Sequence, residues 1–420
     1  MGGTSLSKEA QVRVKGSKKD GGLELNLAGV DMKKFSNQIV KLKKAEAIDV
    51  SNNHMTTLPS QLAKLSRLQE LNCSSNEIAE LPQCILKLTA LQQLHVADNR
   101  LSHLPSPFAH LSSLQVLDIS GNNIKRLPQD FDGLSVLITL RYKFNSVPSI
   151  VPQITRCTSL RELDLEGNEI EDIPNGMANL MALEHLNLRA NQISAVPAFV
   201  GKYKNLRYLH LGQNRISKMG SVLAPLDKLE ELYLEGNRLE SLDELQIHRI
   251  SKLRTLNVSM NHLKQLPRGL GFLTQLQTLE AEQNQLSELT PEVAWLAPSL
   301  RRLNVSMNCL SKLPGDICFL NVSCSINVKA NNLEHPYSTW IVQGSPPSHE
   351  ESMRTYLHAH PSACSVTGDG VKGSFCGRGT EFLIEAGDLT GKPRVNGGDD
   401  IVVRIALDAL EVEAGGVESA

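Results

Sequence analysis

Apolar and polar positions along this chain repeat with a period of 23 residues. The pattern runs Leu68-x-x-Leu71-x-Cys73-x-x-Asn76, then Leu91-x-x-Leu94-x-Val96-x-x-Asn99, and so on to Leu300-x-x-Leu303-x-Val305-x-x-Asn308. Its closing asparagine recurs at Asn53, Asn76, Asn99, Asn122, Asn145, Asn168, Asn191, Asn214, Asn237, Asn261, Asn284, Asn308 and Asn331. The gap stretches to 24 only at Asn237–Asn261 and Asn284–Asn308. After most of these asparagines come an apolar residue and a Leu-Pro or near equivalent, as at Ile78, Leu81 and Pro82. Leu-x-Leu predicts a short strand whose apolar side chains point inward while the residues between them face outward. The Asn stands where the chain turns out of the strand, and its amide can bond backbone groups of its own and the neighbouring coil. One unit cannot bury its apolar face alone, so only stacking gives a core.

A repeat of this length and pattern is identified as the leucine-rich repeat. The resemblance implies an α/β solenoid, a horseshoe of parallel inner strands with its functional surface on the concave face. The first coil, Leu25-x-Leu27-x-x-Val30, keeps the register with Val30 in place of Asn, as a terminal repeat with one neighbour can. Counting it gives about fourteen coils. The coil at Asn145 looks broken, yet Val147, Ile150, Ile154, Cys157 and Leu160 stay in core register and Tyr142 fills a Leu slot. It is a local irregularity and not a domain boundary.

The ends differ from the array. Residues 1–20 are polar and basic and predict a disordered leader, with the solenoid over 21–336. Gly2 invites N-myristoylation, but Leu6 stands where that signal wants Ser or Thr. Residues 337–361 predict a helical cap over the last coil, from Met353, Tyr356 and Leu357 behind Glu350 and Glu351. Over 362–407 the chain turns Gly-rich and alternating: Gly368-x-Gly370-Val371-x-Gly373, then Phe382-Leu383-Ile384-Glu385-Ala386, Gly397-Gly398-Asp399 and Ile401 to Ile405. This is similar to the opening strands of a filamin-type immunoglobulin-like repeat, which implies a partial domain of about three of seven strands. Residues 408–420 do not continue it and predict a disordered tail. The Leu-Pro style of the coils resembles the intracellular leucine-rich repeat families of Ras-associated scaffold proteins, the LAP family and the plant intracellular Ras-group proteins. The resemblance implies a small GTPase, phosphatase or cytoskeletal protein as partner.

Composition narrows the function classes. A formal net charge of −2 argues against a general nucleic-acid binder. No apolar run is long enough to span a membrane, and the N-terminus lacks the apolar stretch of a secretory signal. A cytoplasmic location follows as the expectation, with the eight cysteines free. Cys73, Cys157 and Cys318 fall in core slots, and no Cys-x-x-Cys pair offers metal spacing. No phosphate loop, zinc-protease or nucleophile-elbow motif occurs, and Gly368-x-Gly370-x-x-Gly373 does not sit between a strand and a helix. The expectation is a non-enzymatic protein without cofactor or metal, monomeric, and binding a protein partner.

The concave positions carry the candidate site. Between the inward leucines stand Asp118, Arg141, Asp164, Asn187, His210 and Tyr233, and two residues on stand Lys143, Glu166, Arg189, Gly212 and Glu235. The upstream half alternates in sign and can neutralise itself as surface ion pairs worth about 0–1 kcal/mol each. Histidines such as His95, His185 and His210 read as solvent-exposed residues and not as ligands. Tyr208 and Tyr233 read as exposed aromatics on adjacent strands, flanked by the unpaired acids Glu231 and Glu235, an arrangement typical of interface anchors. The predicted protein-binding residues are Glu162, His185, Arg189, Tyr208, His210, Glu231, Tyr233 and Glu235. A second reading makes the chain the recognition portion of a larger ubiquitin ligase or kinase.

Overall fold

The computed structural model describes residues 7–19, 23–314, 317, 320 and 324–333, together with the backbone of 371–373, 381–386 and 401–404. Cys318, the cap expected over 337–361 and the tail 408–420 lie outside the described residues. The chain divides into two compact units, residues 1–238 and 239–420.

In the first unit, three-residue strands recur once per coil. They are β1 (Glu24–Asn26), β2 (Ala47–Asp49), β3 (Glu70–Asn72), β4 (Gln93–His95), β5 (Val116–Asp118), β6 (Thr139–Arg141), β7 (Glu162–Asp164), β8 (His185–Asn187), β9 (Tyr208–His210) and β10 (Glu231–Tyr233). Each pairs in parallel with the next, and the register joins equivalent positions: Leu71 to Leu94, Leu117 to Leu140, Leu186 to Leu209. The second unit repeats the device in β11 (Thr255–Asn257), β12 (Thr278–Glu280), β13 (Arg302–Asn304) and β14 (Ser325–Asn327), again parallel. Towards its end β15 (Val371–Gly373), β16 (Glu381–Ala386) and β17 (Ile401–Arg404) pair antiparallel.

Most coils return through a short 3-10 helix, and the coil between β9 and β10 returns through a turn. Prolines set where several begin: Pro59, Pro82, Pro174, Pro197 and Pro267 stand extended just before Ser60–Lys64, Gln83–Lys87, Asn175–Asn179, Ala198–Lys202 and Arg268–Phe272. Proline fixes φ and lacks the N–H that a helix start leaves unpaired. The leucine slots of strand and return path close over one another, and Leu71, Leu94, Leu163 and Leu186 are fully or almost fully buried. Two Leu slots hold tyrosines, each with its hydroxyl satisfied. Tyr142 donates to the Ile124 carbonyl at 2.6 Å, and Tyr203 donates to the Met177 carbonyl at 2.7 Å.

The asparagines form a spine of backbone bonds. Asn168 donates through Nδ2 to the carbonyls of Tyr142 (2.9 Å), Leu165 (2.9 Å) and Glu166 (3.3 Å). Its Oδ1 accepts from the amides of Val147 (3.0 Å) and Asn145 (3.1 Å) in the preceding coil. The residue before each of these asparagines takes a left-handed conformation, from Asn52 (φ 53°) through Phe144 (φ 51°) to Ala330 (φ 54°). That kink carries the amide inward to the backbone it serves. Gly167 is one case where glycine is required: its φ is +65°, and an added Cβ would lie 2.1 Å from the Phe144 ring.

One expectation is corrected. Residues 8–19, read as part of a disordered leader, form the helix α1 (Lys8–Lys19). Ala10 and Val14, one turn apart, are buried. Arg13 bonds Glu9 at 2.7 Å and donates to the Ala28 carbonyl at 3.1 Å. The first coil has no preceding coil to cover its apolar edge, and α1 supplies that cover. Among the described cysteines, Cys73, Cys84, Cys157, Cys309 and Cys324 are free.

Candidate functional site

The parallel register of the first unit turns strand positions into rows. Glu162, His185, Tyr208 and Glu231 stand side by side as the first residues of β7 to β10, and Asp164, Asn187, His210 and Tyr233 as the third. Six of the eight predicted site residues therefore lie in these two rows of four neighbouring strands, and Arg189 and Glu235 stand two residues beyond the ends of β8 and β10. The two tyrosines occupy different rows, so each meets a histidine and not the other tyrosine. Tyr208 stacks on His185 with ring centroids 4.1 Å apart and planes 19° apart. Tyr233 meets His210 at 4.3 Å and 37°. Arg207 lies over the edge of this layer, 5.8 Å from the Tyr208 centroid, while its guanidinium holds Glu230.

The structure corrects the expectation of freely exposed tyrosines beside unpaired acids. Tyr208 and Tyr233 are half-buried. Tyr233 donates its hydroxyl to Glu231 at 2.9 Å. Glu235 is bound by Arg189 Nε at 3.3 Å, and the same guanidinium holds Glu166 at 2.7 Å. Glu162 accepts from Arg141 at 2.8 Å, and Lys143 approaches Asp164 at 3.6 Å. Arg189 and Glu166 thus pair along their row, whereas Arg141 takes Glu162 and Lys143 takes Asp164 across rows, and the pairing reaches further downstream than expected.

Gly212 explains the reach. Arg189 and Glu235 are 46 residues apart, two coils, and the intervening coil presents Gly212 at that row. A Cβ there would lie 2.2 Å from Glu235 Oε1, so only glycine leaves room for the carboxylate to cross. The other oxygen, Glu235 Oε2, is buried with no hydrogen-bond partner among the described residues. Asn187 adds a bond to Glu166 at 3.3 Å. The sequence placed Gly212 and Asn187 on these rows but not among the predicted binding residues. The signal that could have found them was a glycine in a row otherwise filled by charged chains.

Burial tunes several of these groups. The Asp164 carboxyl is pushed up to about 6, first by desolvation, although Lys143 pulls it down. His210, expected to be solvent-exposed, is half-buried, and desolvation lowers its pKa against the pull of Glu231 and Glu166. The Tyr233 phenol is pushed up to about 12 by burial and by Glu231, so it remains a donor at neutral pH.

Asp164 gives a test with a definite sign. Its folded pKa lies above the unfolded value of 3.8, so its contribution to stability is present in acid and is lost as pH rises through about 6. An Asp164→Asn variant lacks that loss. In thermal melts its advantage over wild type should be close to nil below pH 4 and grow to on the order of 1–3 kcal/mol above pH 6. His210 has the opposite sign, losing stability as pH falls below its ordinary range, and is common to both proteins. A pH-independent difference would show that Asp164 is not desolvated.

In the second unit, a cavity of about 720 Å³ opens among Asp243, His248, Arg268, Glu288, Glu292 and Lys312, and includes none of the predicted site residues.

Comparison with known proteins decides the family. The leucine-rich repeat region family matches residues 150–334, and the leucine rich repeat family matches 43–101 and 89–147. The chain is built of leucine-rich repeats over residues 43–147 and 150–334. Among solved structures, this leucine-rich repeat protein is similar to one from Leptospira interrogans, at 26% identity and a TM-score of 0.70, over 82% of this chain and 95% of that one. An internalin of Listeria monocytogenes is similar at 25% identity and 0.64, over 74% and 87%. The Drosophila Toll–Spätzle complex shares the fold at 21% identity and 0.62, over 74% of this chain and 44% of that one. No curated protein matches the chain.

Proposed function

We propose that this leucine-rich repeat protein is a non-enzymatic adaptor of the cytoplasm that holds a protein partner on the open sheet face of β7 to β10. Leucine-rich repeat domains commonly mediate protein–protein interaction, and the coil style here resembles families whose partners are small GTPases, phosphatases or cytoskeletal proteins. The observation that carries the reading is the pair of stacked His–Tyr couples, His185–Tyr208 and His210–Tyr233, on three adjacent strands. Tyrosine offers a large rigid ring with a polar tip, which is the usual chemistry of an interface anchor. The surrounding face carries the five acids Glu162, Asp164, Glu166, Glu231 and Glu235 against the three cations Arg141, Lys143 and Arg189 that pair with four of them, so a net acidic surplus remains and the fitting partner presents basic side chains. We read the strands β15 to β17 as the opening of the filamin-type segment.

Site-directed photo-crosslinking tests this. A photoreactive residue at exposed His185 should yield a discrete adduct in cytosolic extract, while one at Lys202, on the returning 3-10 helix, should not. The adduct's basic surface should map to the crosslink. Adducts from Lys202 alone would move the interface off the sheet.

A further inference from the structure

We propose that the helix-bearing side of the first coils is a docking face for an anionic bilayer surface. The 3-10 helices Ile39–Lys41, Ser60–Lys64 and Gln83–Lys87 each end in a lysine, at the same place in three successive coils. The turns that follow add Lys43, Lys44 and Arg67, and all six cations are exposed. The segments 37–44, 60–67 and 83–90 hold no carboxylate; their other exposed residues are neutral, among them Asn37, Gln38, Ser60, Gln61 and Gln83. None of the six cations has an ion-pair partner among the described residues.

The same face is treated differently further along. Arg156 ends the helix Pro152–Arg156 at the equivalent place, and Asp132 of the preceding coil binds it at 2.6 Å. Lys202 ends the helix Ala198–Lys202 at the same place without an ion pair among the described residues, so what distinguishes the first three coils is the run of such cations in successive coils, reinforced by Lys43, Lys44 and Arg67. On the opposite side of those coils the strands present Glu24, Asp49 and Glu70, so the charge is asymmetric and would orient the protein on a surface.

The chemistry favours a bilayer over a nucleic acid. Five of the six cations are lysines, which act as point charges without the bidentate fork of arginine. The three segments expose no aromatic ring on which a base could stack. Laterally mobile lipid headgroups need no fixed register to meet such an array. The helix α1 packs against β1 and exposes Lys8, Val12 and Lys15 on one helix face, opposite to the buried Ala10 and Val14. Val12, at 69% exposed, is an apolar residue placed among cations, as interfacial helices place them. None of the described helices is long and apolar enough to cross a membrane, so attachment would be peripheral.

The test is co-sedimentation of the full chain with vesicles of phosphatidylcholine alone or with 30 mol% phosphatidylserine, roughly the charge density of an anionic leaflet. Binding is expected only to the mixed vesicles and should fall steeply on raising the salt to about 0.5 M. The triple variant Lys41→Gln, Lys64→Gln, Lys87→Gln should bind about 100-fold more weakly, roughly five-fold for each charge removed. These positions are exposed, and an unchanged far-ultraviolet spectrum and melt would show that the variant folds. Wild type that ignores mixed vesicles, or a triple variant that binds like wild type, would overturn the proposal. So would a short DNA duplex that binds through the same lysines more tightly than the vesicles do. A requirement for one headgroup at equal charge density would also refute the delocalised reading.

Discussion

An Asn168→Ala variant should lose about 3 kcal/mol of stability, because the amides of Val147 and Asn145 and the carbonyl of Tyr142 lose their partner at once, while the carbonyls of Leu165 and Glu166 keep Asn191 and the Phe144 amide. The amides of Val147 and Asn145 are the costly ones, since a buried N–H left unpaired costs roughly 1–3 kcal/mol. The carbonyl of Tyr142 belongs to the preceding coil and those of Leu165 and Glu166 to the same one, so the side chain ties two coils together. Leucine-rich coils gain stability from neighbour interfaces, so the loss should be felt as local opening around the coils of Asn145 and Asn168. Denaturant melts measure the total, and hydrogen exchange at the Val147 and Asn145 amides locates it. Asn187→Ala is the control: Asn187 is half-buried on the sheet face, and its removal should cost about 1 kcal/mol or less. An unchanged midpoint for Asn168→Ala, with protected amides at 145 and 147, would sink the account of the spine.

Much of this fold was legible because the same physical demand recurs. A leucine at Leu71, Leu94 or Leu117 meets the same neighbours each time, so its period is written in residue identity. The left-handed residue before each asparagine was not legible in the same way. It is Gly at Gly121, Gly167 and Gly236 but Ser75, Asp98, Phe144 or Ala190 among the others. The bonds made by the following asparagine hold the φ, and the side chain at the kink varies except where a neighbour crowds it, as Phe144 crowds Gly167. The helix α1 escaped notice for a different reason. Its sequence is polar and interrupted by Gly16, and only the first coil's uncovered edge makes Ala10 and Val14 worth burying.

At the candidate site, the rows could be read from the sequence and the partners within them could not. Parallel register follows from the repeat, so the set from Glu162 to Glu235 was placed on one face. Which charges pair depends on side-chain reach. Arg189 skips a strand to meet Glu235 because Gly212 leaves the space open. Nearest-strand reasoning has no place for a contact two coils away, and therefore left Glu235 free when it is engaged.

Truncating Tyr233 to Ala should weaken binding of a partner held on this face by about 2 kcal/mol or more, some 30-fold in Kd. The ring is already positioned by His210 at 4.3 Å, and its hydroxyl is tied to Glu231 at 2.9 Å. Little rotamer freedom remains to be lost on association, so the apolar area it presents counts almost fully toward affinity. Asp118→Ala, upstream of the tyrosines, should cost well under 1 kcal/mol of binding. Tyr233→Phe separates the two contributions of the side chain. It keeps the stacked ring and frees Glu231, so it should retain most of the affinity, and the association rate should become more sensitive to salt as the released carboxylate faces a basic partner. Titration of the three variants against the crosslinked partner measures this, with melts confirming that each is folded. If Asp118→Ala and Tyr233→Ala weaken binding equally and slightly, the stacked couples are not the anchor and the contact lies elsewhere on the solenoid.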